Sequence, residues 1–211
     1  MKNRNRAEKI LASFRDYYGK LNPPLDFRNP YELCIAVVLS AQTTDNQVNR
    51  ITPDLFAEYG SFEDLAGADY GDVEKIIRSV GFYRVKTKSI INLSRMIVED
   101  YDGILPDKIN ELIKLPGVGR KSANVILSHV FGVQAIAVDT HVARLSGRLG
   151  FSSSKNPDVI EKDLMFIFPD DSWSDAHLYL ITHGRKFCRA KHPLCAECFI
   201  RLLCPCKDKC P

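Results

Sequence analysis

The sequence predicts an all-α fold, and three observations carry that reading. Apolar residues recur every three or four positions almost throughout, strict two-residue alternation bounded by hairpin turns is not found, and Gly, Pro and small polar residues stand where helices would begin and end. In chain order, Ile10, Phe14, Tyr17 and Leu21 form one stripe, which the pair Pro23 and Pro24 should end. Asn29 before Pro30 reads as an N-cap with proline in the first turn of YELCIAVVLSAQ, whose run Leu33 to Leu39 reads as a buried helix. Ser61 and Asp64 resemble a capping box, and Gly60, Gly81, Gly103 and Gly132 mark helix ends. Ile109, Leu112 and Ile113 precede LPGVGRKSANV (115–125) at helical spacing, and Ala123, Ile126, Leu127 and Val130 continue it, so this stretch is helix, tight hairpin, helix. IIRSVGFYRVKTKSII and ELIKLPGVGRKSANVI echo one another, each running from an apolar helix through a Gly-centred turn into a basic helix start. The extended apolar segment AIAV (135–138) closes this helical series, and a second lobe is expected to start near it.

The 211 residues, 45% of them hydrophobic, suffice for one large or two small cores. A formal net charge of +3 is too small to name a partner. Its distribution says more, because from Arg185 onward seven Lys or Arg face only Glu197 and Asp208. No stretch approaches the roughly 20 apolar residues that span a bilayer, and the N-terminus lacks the long apolar region of a secretory signal. A cytoplasmic protein is expected.

Gly117 and Gly119 let the backbone turn tightly, and Pro116 fixes its own φ. The amides of Val118 to Lys121 should then point outward at a helix start, where unpaired N–H groups and the helix dipole favour an anion such as a DNA phosphate, with Arg120 adding charge. A plain αα-hairpin explains an isolated PGVG equally well. Lys121 by spacing alone is a helix residue sharing a polar face with Asn124 and Ser128, and Asp139 before THVARLSGRL is an ideal N-cap.

Seven cysteines are present, six of them within the last 24 residues. The odd number and the crowding argue against a disulfide scaffold. Cys188, Cys195, Cys198 and Cys204 are spaced C-x6-C-x2-C-x5-C, unlike paired zinc knuckles, and with Pro205 after the last of them they suit a cubane iron-sulfur cluster; zinc is the alternative on chemistry alone. Arg189 and Lys191, between the first two of these cysteines, are expected to contact phosphates. Cys34 sits in an apolar helix and reads as core.

LPGVGRKSANV followed by AVDTH (137–141), with LSAQTTD (39–45) before them and the cysteine-rich C-terminus after, resembles the helix-hairpin-helix and Gly/Pro-Asp superfamily of base-excision DNA glycosylases, most closely its endonuclease III branch. The resemblance covers nearly the whole chain. It implies two helical lobes with a DNA-binding and active-site cleft between them, one formed by residues 25–133 with the hairpin at about 107–131, the other by 1–24 plus 134–211 and closed by a [4Fe-4S] loop at 188–204. It assigns the cluster to Cys188, Cys195, Cys198 and Cys204, and leaves Cys206 and Cys210 outside the ligand pattern.

The resemblance also makes Lys121 a Schiff-base nucleophile and Asp139 the catalytic carboxylate of a glycosylase that is also an abasic-site lyase, acting on oxidised pyrimidines. Only about one ordinary lysine in 2,500 is neutral at pH 7, so a nucleophilic Lys121 needs help, which the helix N-terminus, Arg120 and desolvation by bound DNA would supply. By the same resemblance Gln42 and Phe82 fill the gap left when the damaged nucleotide turns out of the duplex, and Asp45 and His141 shape the pocket. The partner implied is double-stranded DNA bearing a damaged base or abasic site, with no membrane, and the expected state is a monomer. A monofunctional mismatch glycosylase and a non-catalytic helix-hairpin-helix module are the competing readings; Lys121 argues against the first.

Overall fold

The computed structural model describes residues 2–206, so Lys207, Asp208 and Lys209 of the basic tail and Cys210 lie outside the described residues. Among the described residues there is no strand, and no helix is long and apolar enough to cross a membrane. The chain divides into two units, Pro23–Val133 and the combination of Met1–Asn22 with Gln134–Pro211.

The first of these units is built around α2 (Pro30–Ser40), in which every residue from Tyr31 to Leu39 is buried. Its N-cap Asn29 accepts the Glu32 amide and Pro30 opens its first turn, so the local signals set the start. Around it stand α3 (Asp45–Glu58), α4 (Phe62–Ala66), α5 (Tyr70–Ile77), α6 (Tyr83–Asp100), α7 (Ile109–Leu112) and α8 (Arg120–Val130). Ser61 caps α4 through the Asp64 amide, while the Asp64 carboxylate accepts the amide of Gly60, one residue earlier than in a standard capping box.

The other unit comprises α1 (Lys2–Tyr18), α9 (Thr140–Arg148), α10 (Pro157–Ile167) and α11 (Trp173–Lys186), with short 3₁₀ turns at Asp170–Ser172 and Arg201–Leu203. The helix expected to run to Pro23 stops at Tyr18, because Gly19 takes φ 63 and its amide returns to the Arg15 carbonyl. The buried stripe is Ala7, Ile10, Leu11 and Phe14, whereas Tyr17 is exposed and stacks its ring on Phe199. Ala135 to Val138 are buried in backbone without regular secondary structure that leads into α9.

Candidate functional site

In the 23–133 unit the hairpin between α7 and α8 is shaped by Gly117. Its φ is 82, and a Cβ there would lie 2.9 Å from Val38 Cγ1 and 3.0 Å from Ser89 Cβ, so no other residue fits without displacement. Gly119 differs, with φ −89 and nothing within 4 Å of an added Cβ. The fold does not require glycine there. The expected row of outward amides is shorter than the sequence suggested: the Val118 N–H donates to the Leu115 carbonyl (3.0 Å) and its side chain is buried, closing the turn. Gly119 caps α8 without a side-chain hydrogen bond, whereas α2, α3, α4, α5, α9 and α10 all have one. Arg120 and Lys121 are both exposed in the first turn of α8. Asn124 is buried, so the polar face expected for Lys121 narrows to its N-terminal end.

Gln42 and Phe82 share an unusual backbone. Both are exposed and left-handed, with φ 53 and 58, a conformation rare for residues with large side chains. Phe82 is 66% exposed and so is not part of the core, and Gln42 follows Ala41, the C-cap of α2. The two loops meet, since a Cβ on Gly81 would be 3.5 Å from the Gln42 carbonyl oxygen. Asp45 is the first residue of α3, after its cap Thr44.

In the other unit Asp139 caps α9 as its sequence predicts, and one oxygen does all of that work. Oδ1 accepts from both the His141 and Val142 amides at 2.8 Å, which leaves Oδ2 without a hydrogen bond among the described residues. His141 lies in the first turn of α9, and its Nδ1 is 3.1 Å from Arg144 Nη2. Arg144 also donates to the carbonyls of Gly184 and Cys188, both at 3.0 Å, and Gly184 packs closely here, since a Cβ on it would lie 3.1 Å from His141 Cβ.

Cys188, Cys195, Cys198 and Cys204 line one pocket with Leu145, Leu149 and Ile200. Burial pushes the Cys198 thiol up to about 11, while the Ile200 amide bonded to its sulfur pulls the other way. Donors surround the sulfurs: Arg148 Nη1 lies 3.4 Å from Cys188 Sγ, and His183 Nε2 lies 3.4 Å from Cys198 Sγ. Burial lowers His183 to about 4, and its Nδ1 is 2.9 Å from the Tyr18 hydroxyl; a neutral ring accepting there presents Nε2–H to the sulfur. Arg148 further donates to the carbonyls of Arg189 (2.6 Å) and Ala190 (3.2 Å), fixing the backbone of a loop on which Arg189 and Lys191 are exposed. No three His, Cys, Asp or Glu side chains among the described residues converge as one metal ion requires. Cys206 is part-buried next to Cys204, and Cys34 is fully buried with its thiol pushed up to about 12.

Residues 35–170 match the HhH-GPD superfamily of base excision DNA repair proteins. Endonuclease III of Bacillus subtilis is 47% identical over 97% of this chain and 94% of its own length. The chain belongs to the endonuclease III family. Endonuclease III of Synechocystis is 45% identical over 96% of this chain and 93% of its own. A solved structure of a trapped endonuclease III–DNA covalent intermediate superposes with a TM-score of 0.92 at 43% identity, covering 98% of this chain and 97% of the other. The superfamily match includes the hairpin and Asp139 but ends before Cys188, whereas the endonuclease III relatives extend over almost the whole chain.

Sequence reasoning missed Lys86, Arg144, Arg148 and His183. Each acts through partners far away in sequence, such as Leu39 for Lys86 and Cys188 for Arg144. A charged or titratable residue at an apolar helix position is the only signal that could have flagged Lys86 and His183.

Proposed function

We propose that this chain excises oxidised pyrimidines from double-stranded DNA and cleaves the strand 3′ to the vacated sugar, with Lys121 as the nucleophile. As an endonuclease III family member it is a bifunctional DNA glycosylase and abasic-site lyase of base excision repair. One observation carries the assignment to Lys121: it is exposed in the first turn of α8, directly after a hairpin that leaves that turn without a side-chain cap. A DNA phosphate fills the role of the missing cap, held by the helix N-terminus and Arg120.

Neutral Lys121 attacks the deoxyribose C1′, the bond from C1′ to the base breaks, and the base leaves with the electron pair. Loss of the amine proton and ring opening yield an imine. Removal of a C2′ proton then lets the C3′–O bond break and expels the 3′ phosphate. Asp139 is the carboxylate that relays the proton and stabilises the developing sugar cation, through the oxygen its capping role leaves over. Gln42 and Phe82 enter the base stack in place of the extruded nucleotide, and Asp45 and His141 shape the pocket.

The donor set fits a [4Fe-4S] cluster held by Cys188, Cys195, Cys198 and Cys204. Its four thiols line one apolar pocket amid N–H donors, and a cubane takes one thiolate at each of four corners. A single tetrahedral zinc would instead draw its sulfurs to about 3.8 Å from one another, given a Zn–S bond of about 2.3 Å. When bound, the cluster supplies iron–sulfur bonds that fix the 188–204 loop. Arg189 and Lys191 on that loop contact DNA phosphates, and the protein acts as a monomer.

Borohydride reduction in the presence of abasic duplex tests the nucleophile. Wild type should form a covalent complex that Lys121→Ala cannot form, and a complex persisting in that variant refutes the assignment. Asp139→Asn retains the cap but should lower base excision about 100-fold. Iron and sulfide analysis should return four of each per chain, whereas zinc without sulfide would overturn the cluster.

A further inference from the structure

Lys86 is buried, with only 5% of its surface exposed, yet no carboxylate lies within salt-bridge distance of it among the described residues. Its Nζ donates to the Leu39 carbonyl and to Thr43 Oγ1, each at 2.7 Å. These two acceptors stand on either side of Gln42. Leu39 is in the last turn of α2, where carbonyls lack helical partners and the helix dipole favours a cation. Thr43 follows Gln42 directly. The backbone amide of Lys86 makes the first helical bond of α6, to the Phe82 carbonyl (3.1 Å), which places the lysine one turn after the second left-handed, exposed position. A further tie joins the two segments, from Gln47 Nε2 to Ser79 Oγ at 2.6 Å.

We propose that Lys86 is a positioning residue that brackets Gln42 with its side chain and holds Phe82 through its amide, setting both side chains for insertion into duplex DNA. The inference rests on the wedge roles of Gln42 and Phe82. Left-handed backbone at a residue with a Cβ persists only where its surroundings over-determine it, and Lys86 supplies fixed points at 39, 43 and 82. None of these bonds involves Lys121 or Asp139. The residue therefore matters where the helix stack must be invaded and not where a sugar is already accessible.

The experiment compares two substrates, a duplex carrying an oxidised pyrimidine and a single-stranded oligonucleotide carrying one abasic site. Lys86→Met keeps most of the length of the unbranched side chain but donates no hydrogen bond. It should lower single-turnover excision from duplex by about 10-fold or more, while borohydride trapping on the single strand changes by less than about 2-fold. Thr43→Val removes one of the two bonds and leaves Lys86 in place, so it serves if Lys86→Met does not fold; it should move duplex excision in the same direction by about 3-fold. In a Gln42→Ala background the effect of Lys86→Met on duplex excision should largely vanish, since both changes disable one device.

Equal losses on duplex and single strand, or effects of Lys86→Met and Gln42→Ala that simply multiply, overturn the proposal. Wild-type protein that traps abasic DNA while Gln42→Ala excises normally from duplex refutes the wedge reading itself and the proposal with it. The two failures are thus distinguished by the Gln42→Ala single variant.

Discussion

Two helical hairpins of the 23–133 unit, residues 76–91 and 111–126, share one sequence frame and have diverged in use. With the segments aligned end to end, Phe82 falls opposite Gly117 and Lys86 opposite Lys121. The structure keeps the backbone correspondence, since Phe82 and Gly117 are both left-handed, with φ 58 and 82. It separates the lysines. Helix α6 begins at Tyr83, directly after its left-handed residue, whereas α8 begins at Arg120, three residues after Gly117. Lys86 is therefore the fourth residue of its helix and Lys121 the second, which turns them about 200° apart around their axes. One points into the core and clamps a loop; the other stands exposed beside an uncapped helix start. A shared turn sets where a lysine can stand, and helix phase decides whether it is buried, as Lys86 is, or exposed, as the proposed nucleophile Lys121 is.

The largest effect should come from exchanging the lysines' chemistry. Lys121→Gln should cut lyase turnover by about 1,000-fold or more with thermal stability nearly unchanged, because the residue is exposed; a comparable loss of stability would show it to be a strut like Lys86. The two left-handed positions should then respond oppositely to loss or gain of a side chain. Gly117→Ala is expected to destabilise the protein by ~2–3 kcal/mol in urea unfolding, since the new methyl meets Val38 and Ser89 at 2.9 and 3.0 Å. Phe82→Gly relieves left-handed strain and removes an exposed ring, so it should leave stability unchanged or raise it by up to ~1 kcal/mol while slowing excision from duplex DNA.

The smallest effect is a pH dependence that Lys86 contributes. Burial lowers this amine from its ordinary 10.5 to about 8. Between those values the unfolded chain binds a proton that the folded chain has released, so stability rises with pH across that window and is flat, from this group, below it. Both hydrogen bonds survive the titration, because a neutral amine still carries two N–H groups. The difference in unfolding free energy between wild type and Lys86→Met should shift in favour of wild type from pH 8 to pH 10. A difference that shifts the other way would mean that the clamp needs its charge.

What could be read from the sequence follows the range of the interactions involved. Asn29, Ser61 and Asp139 cap the helices they were expected to cap, because a cap is a contact over two or three residues. The α1 stripe was read too far because a glycine at φ 63 outranks a proline pair four residues later, and composition does not disclose φ. Val118 was grouped with its outward neighbours, yet its amide closes a turn on Leu115; whether a turn amide faces in or out depends on a single backbone rotation.

By itself, the sequence determined the all-helical fold, the hairpin, the cap at Asp139 and the spacing of the four cysteines. These rest on periodicity, backbone preference and contacts between near neighbours, which local order encodes. Only the tertiary structure decided that the Gln42 and Phe82 loops meet, that Lys86 brackets one of them, and that Arg148 and His183 attend the cysteine sulfurs. Those contacts join residues from 15 to 47 positions apart, and their direction depends on how each helix is rotated in its packing. No local pattern specifies that rotation; it is set when the apolar faces of all the helices in a unit are buried together.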